Sequence, residues 1–415
     1  MNESQLKLDK ICAENDFFPM FSDKEMAHRY ENVRKEMKDR DLDLIIVHGA
    51  LGLGNSPGQV NLQYLTRFAA LMETFLIVPK EGEPTMFMAL NYHIPNALEI
   101  SYVKDIRSGD CLTNMIQYVK NHGFERGRIG LVGPGAVSYR YFTLFTEQRE
   151  VLTKNLPNVR FENATQWFNS LMFVKSEEEF DLLKRAGALL DLAQEEVVQF
   201  TRPKITHSDL RRVLSIFIAR NGATSPFGHV SSFSMKNPSG FYPDSYPTCK
   251  YVNIGDMLMS EFTLGFGNYY GKLWSTWFLG NPTPEYEKLF EVAALVHENL
   301  IKSLKLGMKG SEIDSFINPI YEAGFEQVPS FLVSGWSIMN HFPFMGTSHD
   351  SYYASTARQF DNFEFKPGHT ITLHVWVRIP GTRKGLWVGS SGGFTKSGYC
   401  NFNRYPVSKL RVTSI

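Results

Sequence analysis

The 415-residue chain lacks the features that mark a membrane protein, a nucleic-acid-binding protein or a disulfide scaffold. No run approaches the ~18 apolar residues of a membrane-spanning helix, and the opening MNESQLKLDK has no apolar core of a secretory signal. Lys plus Arg and Asp plus Glu both number 43, so no net charge attracts nucleic acid or an anionic membrane. The four cysteines form no C-x-x-C pair, which argues against disulfides and zinc. We expect a reduced, cytoplasmic protein that binds neither nucleic acid nor membrane.

The composition is that of an ordinary globular protein with room for two domains. Its apolar fraction of 43% and charged fraction of 21% are typical of such proteins, and its length allows a full core in each domain. The aromatic content is generous, with 32 Phe, 18 Tyr and 6 Trp. These residues suit a deep apolar pocket and suit a core equally well.

The first part of the chain alternates helix and strand patterns. An amphipathic helix, EMAHRYENVRKEMKDR, precedes the apolar strand Leu42–Val47. Two further strands, Thr74–Pro79 and Thr85–Leu90, flank a glycine turn, and MIQYVKNHGF and RIGLVGP indicate another helix and strand. This alternation predicts an α/β domain.

The boundary of this domain is predicted near Asn169, where the pattern changes to long helices. Ser176 and Glu179 form a capping box at the start of the first long helix. We therefore predict one domain at 1–168 and a second at 169–415.

The second domain contains an internal repeat. Two segments, which start at Gln194 and His297, each have a long helix with a basic end and then a Thr or Ser cap. A second helix follows in each, and it stops near Gly222 or Gly324. Two such α-α-β units predict a pseudo-two-fold α+β domain with a cleft between them; the alternative is a chance likeness of two amphipathic helix pairs.

The glycine-rich segment HGALGLGNSPG follows the strand Leu42–Val47, where a dinucleotide-binding fingerprint would lie. Its glycines read G-x-x-G-x-G, which is the wrong order. We also expect Pro57 and VNLQYL to follow it in place of a helix that could bind a pyrophosphate. Both points favour a plain loop.

The stretch MLMSEFTLGFGNYYGKLWSTWF, Met257–Phe278, predicts a β-hairpin. A two-residue loop at Phe266–Gly267 would set Glu261 opposite Lys272. Period-2 alternation then puts Glu261, Thr263, Lys272 and Trp274 on one face. By itself this pair is more typical of a surface ion pair, because burying it between aromatic rings is costly without further hydrogen bonds.

The motifs of the chain resemble those of the creatinase/aminopeptidase P/prolidase family, the pita-bread enzymes. The similar segments are NLQYLTRF, VKSEEEFDLLKRA, YPDSYPT, the hairpin, SGWSIMNH, KPGHTITLHVWV and GLWVGSS, in the order of the family. The resemblance implies a creatinase-type N-terminal α/β domain, followed by a pita-bread domain whose active site includes the inner face of the hairpin. It also implies a homodimer, in which the loop that contains Arg67 and Glu73 reaches the partner's cleft.

The resemblance also implies five metal-binding positions, and this chain departs from the family at most of them. The positions correspond to Glu261, Lys272, Trp336, His374 and a site at or near Gly389. A protonated lysine offers a divalent cation no lone pair. We therefore expect no metal cofactor.

Creatinase is a metal-free member of the family, but its catalytic His and two Glu are also replaced here. The corresponding residues are Asp244, Trp274 and His374, so creatine hydrolysis is not implied. The residues that we expect to be catalytic are Glu261, Lys272, His374 and Asp244. Those that we expect to bind the substrate are Trp336, His341, Trp274, Trp376, Arg67 and Glu73.

Three hypotheses follow for the function. The first is a metal-independent, creatinase-like enzyme on a small cationic or zwitterionic compound, with C–N hydrolysis by analogy or a lyase-type elimination. In it, Glu261 orients or deprotonates, Lys272 stabilises negative charge or acts as an acid/base, and His374 and Asp244 form a proton-transfer pair. The second is a pita-bread binding protein without catalysis, and the third is a residual metal-dependent Xaa-Pro peptidase.

Overall fold

The structure is a computed structural model, and it describes residues 20–50, 57–133, 146–328, 331–336, 343–347 and 358–413. The chain divides into an N-terminal unit, Phe18–Glu178, and a C-terminal unit, made of Glu179–Ser337 and His341–Ile415. No helix in these described ranges has the length and apolar character needed to cross a membrane.

The helices and strands of the N-terminal unit alternate along most of the chain. The helices are α1 (Asp23–Asp39), α2 (Val60–Thr66), α3 (Ile94–Ile100), α4 (Cys111–Asn121), α5 (Thr146–Asn155) and α6 (Thr165–Phe173). The strands are β1 (Leu44–Gly49), β2 (Thr74–Pro79), β3 (Thr85–Met88), β4 (Asp105–Ser108), β5 (Arg128–Val132) and β6 (Arg160–Asn163). They form one mixed sheet in the order β4-β3-β2-β1-β5-β6.

The predicted α/β elements are confirmed, and local sequence explains how they begin. Helix α1 starts after Ser22, whose side chain accepts a hydrogen bond from the backbone N–H of Glu25. Helix α4 starts in the same way after Asp110. Strands β1 and β2 are buried at every position, as their continuous apolar runs predict.

One expectation for this unit is wrong: VNLQYL is helical. It forms α2, which follows a 3₁₀ turn at Pro57–Gln59, and all seven of its residues are buried. Its Val, Asn and Tyr residues are weak helix formers, so tertiary packing overrides local preference here. Residues 51–56 of the glycine-rich segment lie outside the described residues, and the glycine order remains the argument against a dinucleotide site.

The C-terminal unit combines helices with one large sheet. Its helices are α7 (Glu177–Phe200), α8 (His207–Arg220), α9 (Pro284–Ser303) and α10 (Asn318–Glu322). Its strands are β7 (Thr224–Ser234), β8 (Asp256–Phe266), β9 (Tyr269–Leu279), β10 (Glu326–Gln327), β11 (Phe331–Gly335), β12 (Phe344–Thr347), β13 (Thr370–Arg378), β14 (Gly385–Thr395), β15 (Gly398–Asn401) and β16 (Val412–Thr413). The main path of the sheet is β12-β11-β13-β14-β9-β8-β7.

The predicted α-α-β duplication is present, with a difference in its second copy. In the first copy, Thr206 and Asp209 form a capping box and α8 ends before Gly222, as expected. In the second copy the short helix is a 3₁₀ segment, Gly310–Ile317, which continues into α10. Pro319 explains the break, since it lacks the N–H that a continuous α-helix would use.

The predicted hairpin is β8–β9, but its predicted register is wrong. The turn begins one residue later than expected, so each residue of β8 pairs two residues further along β9. The turn residues are Gly267 and Asn268, with φ angles of 50° and 70°, so Glu261 lies opposite Trp274 and Lys272 opposite Thr263. A two-residue turn of this kind needs positive φ at both positions, which Phe266 tolerates poorly. Because the shift moves the pairing by two residues, the predicted face is unchanged.

Candidate active site

A row of five directly opposed residues crosses the inner face of the large sheet. From β7 to β13 it consists of His229, Glu261, Trp274, Gly389 and His374. Directly opposed residues in antiparallel strands project to the same face. The topology therefore gathers residues that are far apart in sequence, and we call this set the central row.

The Glu261–Lys272 ion pair lies at the middle of this face and is buried. The distance from Lys272 Nζ to Glu261 Oε1 is 2.8 Å, and the two side chains are 4% and 8% exposed. Lys272 Nζ also faces three aromatic rings, at 5.1 Å from the Phe227 centroid, 4.7 Å from Trp274 and 5.2 Å from Trp336. This cage of cation–π contacts offsets part of the cost of burying the ammonium.

The second oxygen of Glu261 is also bound. The Tyr242 hydroxyl donates to Glu261 Oε2 at 3.0 Å. Burial raises the pKa of Glu261, but the Lys272 charge and the hydrogen bonds from Lys272 and Tyr242 outweigh burial and hold that pKa below its usual value. Glu261 is therefore a carboxylate with both oxygens occupied, which makes it a weak proton acceptor.

His374 stacks on Trp274 across Gly389. The two ring centroids are 4.9 Å apart, with 14° between the planes, and Phe331 meets His374 edge-on at 4.5 Å. A Cβ on Gly389 would lie 2.8 Å from the Trp274 ring, so the stack requires glycine here. Burial, with a smaller contribution from Lys272, lowers the pKa of His374 to about 3, and its ring is neutral at physiological pH.

His229 is a site residue that the sequence did not reveal. It lies directly opposite Glu261 and is half-buried, and its ring stacks on Phe227 at 5.1 Å. Its Nδ1 has no hydrogen-bond partner among the described residues. Burial lowers the pKa of His229 while the Glu261 charge raises it, with a net decrease. The segment TSPFGHV hides the signal, because Pro226 and Gly228 weaken its appearance as a strand.

Asp244 does not join the pair that we expected. Its carboxylate lies 3.9 Å from His207 Nδ1 and 3.7 Å from Lys250 Nζ, and its N–H donates to Ser231. No hydrogen bond or ion pair links Asp244 to His374 within the described part of the chain. The expected His374–Asp244 proton-transfer pair is therefore wrong, because the loop after β7 directs the Asp244 carboxylate towards α8.

The expected aromatic residues divide into two groups. Trp274 and Trp336 enclose Lys272, as described above, while Trp376 packs at 5.2 Å from Tyr242 and 4.9 Å from Trp387. Trp376 Nε1 is buried and has no hydrogen-bond partner among the described residues. His341 lies outside the described residues.

Arg67 and Glu73 belong to the N-terminal unit, and each has partners there. Arg67 donates to Asp23 at 2.6 Å and lies over the Tyr102 ring. Glu73 lies 3.0 Å from His48 Nε2 and accepts a hydrogen bond from Gln148. Their expected role towards a partner subunit stays a prediction.

The residues present do not fit the metal pair of the family's peptidases. Lys272 holds the carboxylate of Glu261, and the indole N–H of Trp336 donates to a backbone carbonyl. A side chain at Gly389 would also meet the carbonyl of Leu373 at 2.3 Å. In the described ranges no three His, Cys, Asp or Glu side chains converge on one point. The five positions that correspond to metal ligands in the family keep one paired carboxylate and one imidazole, which are too few ligands for a divalent cation.

Comparison with known proteins agrees with this architecture. The pattern of Metallopeptidase family M24 matches residues 181–395, just over half of the chain, and the Creatinase/Prolidase N-terminal domain matches residues 29–171. Creatinase of Bacillus sp. (strain B-0618) is 23% identical over 315 residues, which cover 73% of this chain and 72% of that protein.

Solved structures show the same fold. The Xaa-Pro dipeptidase from Bacillus anthracis has a TM-score of 0.75 at 18% identity, and the match covers 94% of this chain and 100% of that one. The prolidase from Pyrococcus horikoshii OT3 has a TM-score of 0.74 at 16% identity, with the same coverage. The chain belongs to metallopeptidase family M24, and in this chain a Creatinase/Prolidase N-terminal domain precedes the M24 domain.

Proposed function

We propose that the protein is a creatinase-like hydrolase that breaks a C–N bond in a small polar compound without a metal ion. The observation that carries this proposal is the buried Glu261–Lys272 pair. There a carboxylate and three aromatic rings hold an ammonium ion, on the face where the family resemblance expects metal-binding carboxylates. Drift after loss of function would leave small or apolar residues more readily than this arrangement.

Lys272 supplies the fixed positive charge in the proposed reaction. When water attacks the carbon of a C–N bond, negative charge develops on the atom doubly bonded to that carbon. A positive group already fixed in surroundings of low polarity stabilises this charge without reorganisation. Glu261 and the ring cage hold Lys272 in place, so the charge is oriented before the substrate arrives.

His229 is the base that fits this reaction best. Its net lowered pKa keeps the ring neutral near pH 7, and Nδ1, which has no hydrogen-bond partner among the described residues, can accept the proton of the attacking water. Glu261, directly opposite, stabilises the imidazolium that forms. The same proton then passes to the departing nitrogen, which leaves as an amine. His374 is a poor base in the free protein, because its pKa is about 3.

The ring cage narrows the substrate class that the sequence suggested. Trp274 and Trp336 already contact the ammonium of Lys272, and a second cation beside it would be repelled. Of the cationic and zwitterionic compounds that the sequence favours, we therefore retain the zwitterionic ones.

Hydrolysis is preferred to elimination because a dipeptidase and a prolidase share this fold, and peptidases break C–N bonds. The two reactions differ in the fate of water. In H₂¹⁸O, hydrolysis incorporates the label into the product, whereas elimination does not. An unlabelled, unsaturated product would show that the reaction is an elimination and not a hydrolysis.

The test is a screen of N-substituted glycines and Xaa-Pro dipeptides for release of an amine, with and without EDTA. We expect turnover that EDTA leaves unchanged and that falls by about 10²–10³-fold on loss of the charge at Lys272. The double variant Glu261→Gln/Lys272→Met removes that charge without stranding a buried carboxylate. Lys302→Met, on an exposed helical residue, is the control. Turnover that depends on added metal, or survives in the double variant, would contradict the proposal.

A binding protein is the second candidate, because Glu261 and Lys272 neutralise each other and are both buried. In that case ligands from the same screen would raise the melting temperature without being consumed. Loss of this ligand binding in Glu261→Gln/Lys272→Met would then identify the site as a binding site alone.

We also propose a homodimer, in which the loop Arg67–Glu73 approaches the active site of the second copy. Light scattering measures the assembly directly. Mixing an Arg67→Ala variant with the double variant Glu261→Gln/Lys272→Met should restore part of the turnover if each site draws on two chains. Failure of a confirmed mixed dimer to regain turnover would confine the site to one chain.

A further inference from the structure

We infer that Trp376 and His374 form a subsite for an anionic oxygen group of the ligand, such as a carboxylate. The inference rests on the proposed function in one respect, since it takes the ligand to bind on the inner face of the large sheet. Beyond the proposed function, the inference specifies which group of the ligand is recognised and which residues recognise it.

Strand β13 carries two buried ring nitrogens that have no partner among the described residues. His374 and Trp376 are two residues apart in this strand, so their side chains project from the same face. His374 Nε2 and Trp376 Nε1 are both buried, and neither has a hydrogen-bond partner among the described residues. His374 is only 7% exposed. Unpaired buried polar atoms are costly, and two of them on one strand face are a candidate position for a bound group.

The chemistry of the two rings requires an acceptor. An indole N–H can only donate a hydrogen bond, so the partner of Trp376 must offer a lone pair. A neutral imidazole can carry its proton on either nitrogen, and His374 can therefore present Nε2–H beside the indole N–H. Two neighbouring donors match a group with two acceptor oxygens.

The charges around the subsite favour a negative ligand over a neutral one. Lys272 and Glu261 act in opposite senses on the pKa of His374, and the effect of Lys272 is the larger. The positive end of the ion pair thus dominates at this ring. Glu261 has both oxygens engaged by Lys272 and Tyr242, so its carboxylate is not available to accept from the two ring nitrogens.

Aromatic side chains limit the size of the group. Trp274 covers one side of His374 and Phe331 meets its edge, while Phe241 and Tyr242 contact the Trp376 ring at 5.9 and 5.2 Å. Such walls exclude water and strengthen hydrogen bonds to a charged acceptor. A compact planar anion fits them better than a large hydrated one.

The experiment compares N-acetylglycine, which has a carboxylate, with N-acetylglycinamide, which does not. Isothermal titration measures the affinity of each, with acetate, methanesulfonate and methylphosphonate as further probes of the anion. We expect N-acetylglycine to bind at least about tenfold more tightly than the amide, since hydrogen bonds to charged groups are the stronger ones. Equal affinities, or no saturable binding by any of the anions, would overturn the inference.

Trp376→Phe keeps the ring and removes the donor. We expect it to weaken N-acetylglycine about tenfold or more and to leave the amide unchanged. Trp167→Phe is the matched control, because Trp167 Nε1 is also buried and has no partner in the part of the chain that the structure describes, but it lies in α6 of the N-terminal unit. His374→Phe gives a second arm if the first variant proves unstable. Unchanged anion affinity in folded Trp376→Phe would refute the role of the indole.

These measurements separate the subsite from the reaction. Anion binding without turnover of any compound leaves the subsite in place and removes the proposed hydrolase. If carboxylate substrates are turned over with the same KM in Trp376→Phe as in the parent protein, the hydrolase is retained and the subsite is refuted.

Discussion

Replacing Lys272 by methionine alone should destabilise the C-terminal unit, because it leaves Glu261 buried without its counter-ion. The Glu261 side chain is 8% exposed and accepts one hydrogen bond, from Tyr242, besides that from Lys272. Breaking a buried ion pair from one side costs about 3–5 kcal/mol. Loss of the three cation–π contacts adds to this cost, while methionine keeps most of the apolar stem packed.

The double variant Glu261→Gln/Lys272→Met should recover most of that loss. It removes both charges, so that neither has to be desolvated, and replacing a buried pair by neutral groups is often nearly neutral for stability. Its free energy of unfolding should lie within about 1 kcal/mol of the parent protein. Lys302→Met breaks an exposed pair with Glu298 and should change the stability by less than about 0.5 kcal/mol.

Denaturant unfolding followed by tryptophan fluorescence measures these changes. Five of the six tryptophans, all but Trp167, lie in the C-terminal unit, so the signal reports mainly on that unit. The deficit of Lys272→Met should also shrink towards acid pH. An unpaired buried carboxyl has a raised pKa in the folded state. The cost of its charge therefore disappears when the pH falls below the pKa that the carboxyl has in the unfolded chain. A single variant as stable as Lys302→Met would refute the reasoning.

Three further predictions concern stability. Gly389→Ala should cost about 1–3 kcal/mol, because its Cβ would lie 2.8 Å from Trp274; near-ultraviolet circular dichroism should show a disturbed ring stack. Burial raises the pKa of Asp191 to about 6, so the stability that its protonated form provides is lost as pH rises from about 4 through 6. As the pH rises over that range, the free energy of unfolding of Asp191→Asn should therefore increase by about 2–3 kcal/mol relative to that of the parent protein. Burial lowers the pKa of His297 to about 4, so stability falls as pH drops from about 6.5 to 4, and His297→Gln should abolish this acid dependence.

The sequence predicted the face of the hairpin correctly and its register wrongly, for reasons that follow from strand geometry. Side-chain alternation has a period of two, so a pairing shift of two residues preserves the face. The register depends on which residues accept positive φ in the turn. GFGNYY offers Gly265, Gly267 and Asn268, and Asn tolerates the left-handed region nearly as glycine does.

The central row was only partly predictable because it depends on strand pairing. Glu261, Trp274 and His374 could be assigned from the motifs that they resemble. His229 becomes a neighbour of Glu261 only through the pairing of β7 with β8. Asp244 illustrates the opposite error: its sequence position suggested the cleft, but the path of a loop decides that His207 is its neighbour. Spacing along the chain does not encode such a path.

The replaced positions depend on one another, which explains why a metal site would not return through one substitution. A carboxylate in place of Lys272 would face Glu261 without the positive charge that now compensates it, inside a cage of rings suited to a cation. Trp336 offers a donor but no lone pair, and Gly389 admits no side chain while Trp274 and His374 stack across it. An ammonium ion also cannot convert bound water to hydroxide as a divalent metal does. A reaction site built around Lys272 would therefore need a separate base, and in the proposed reaction that base is His229, which lies opposite Glu261.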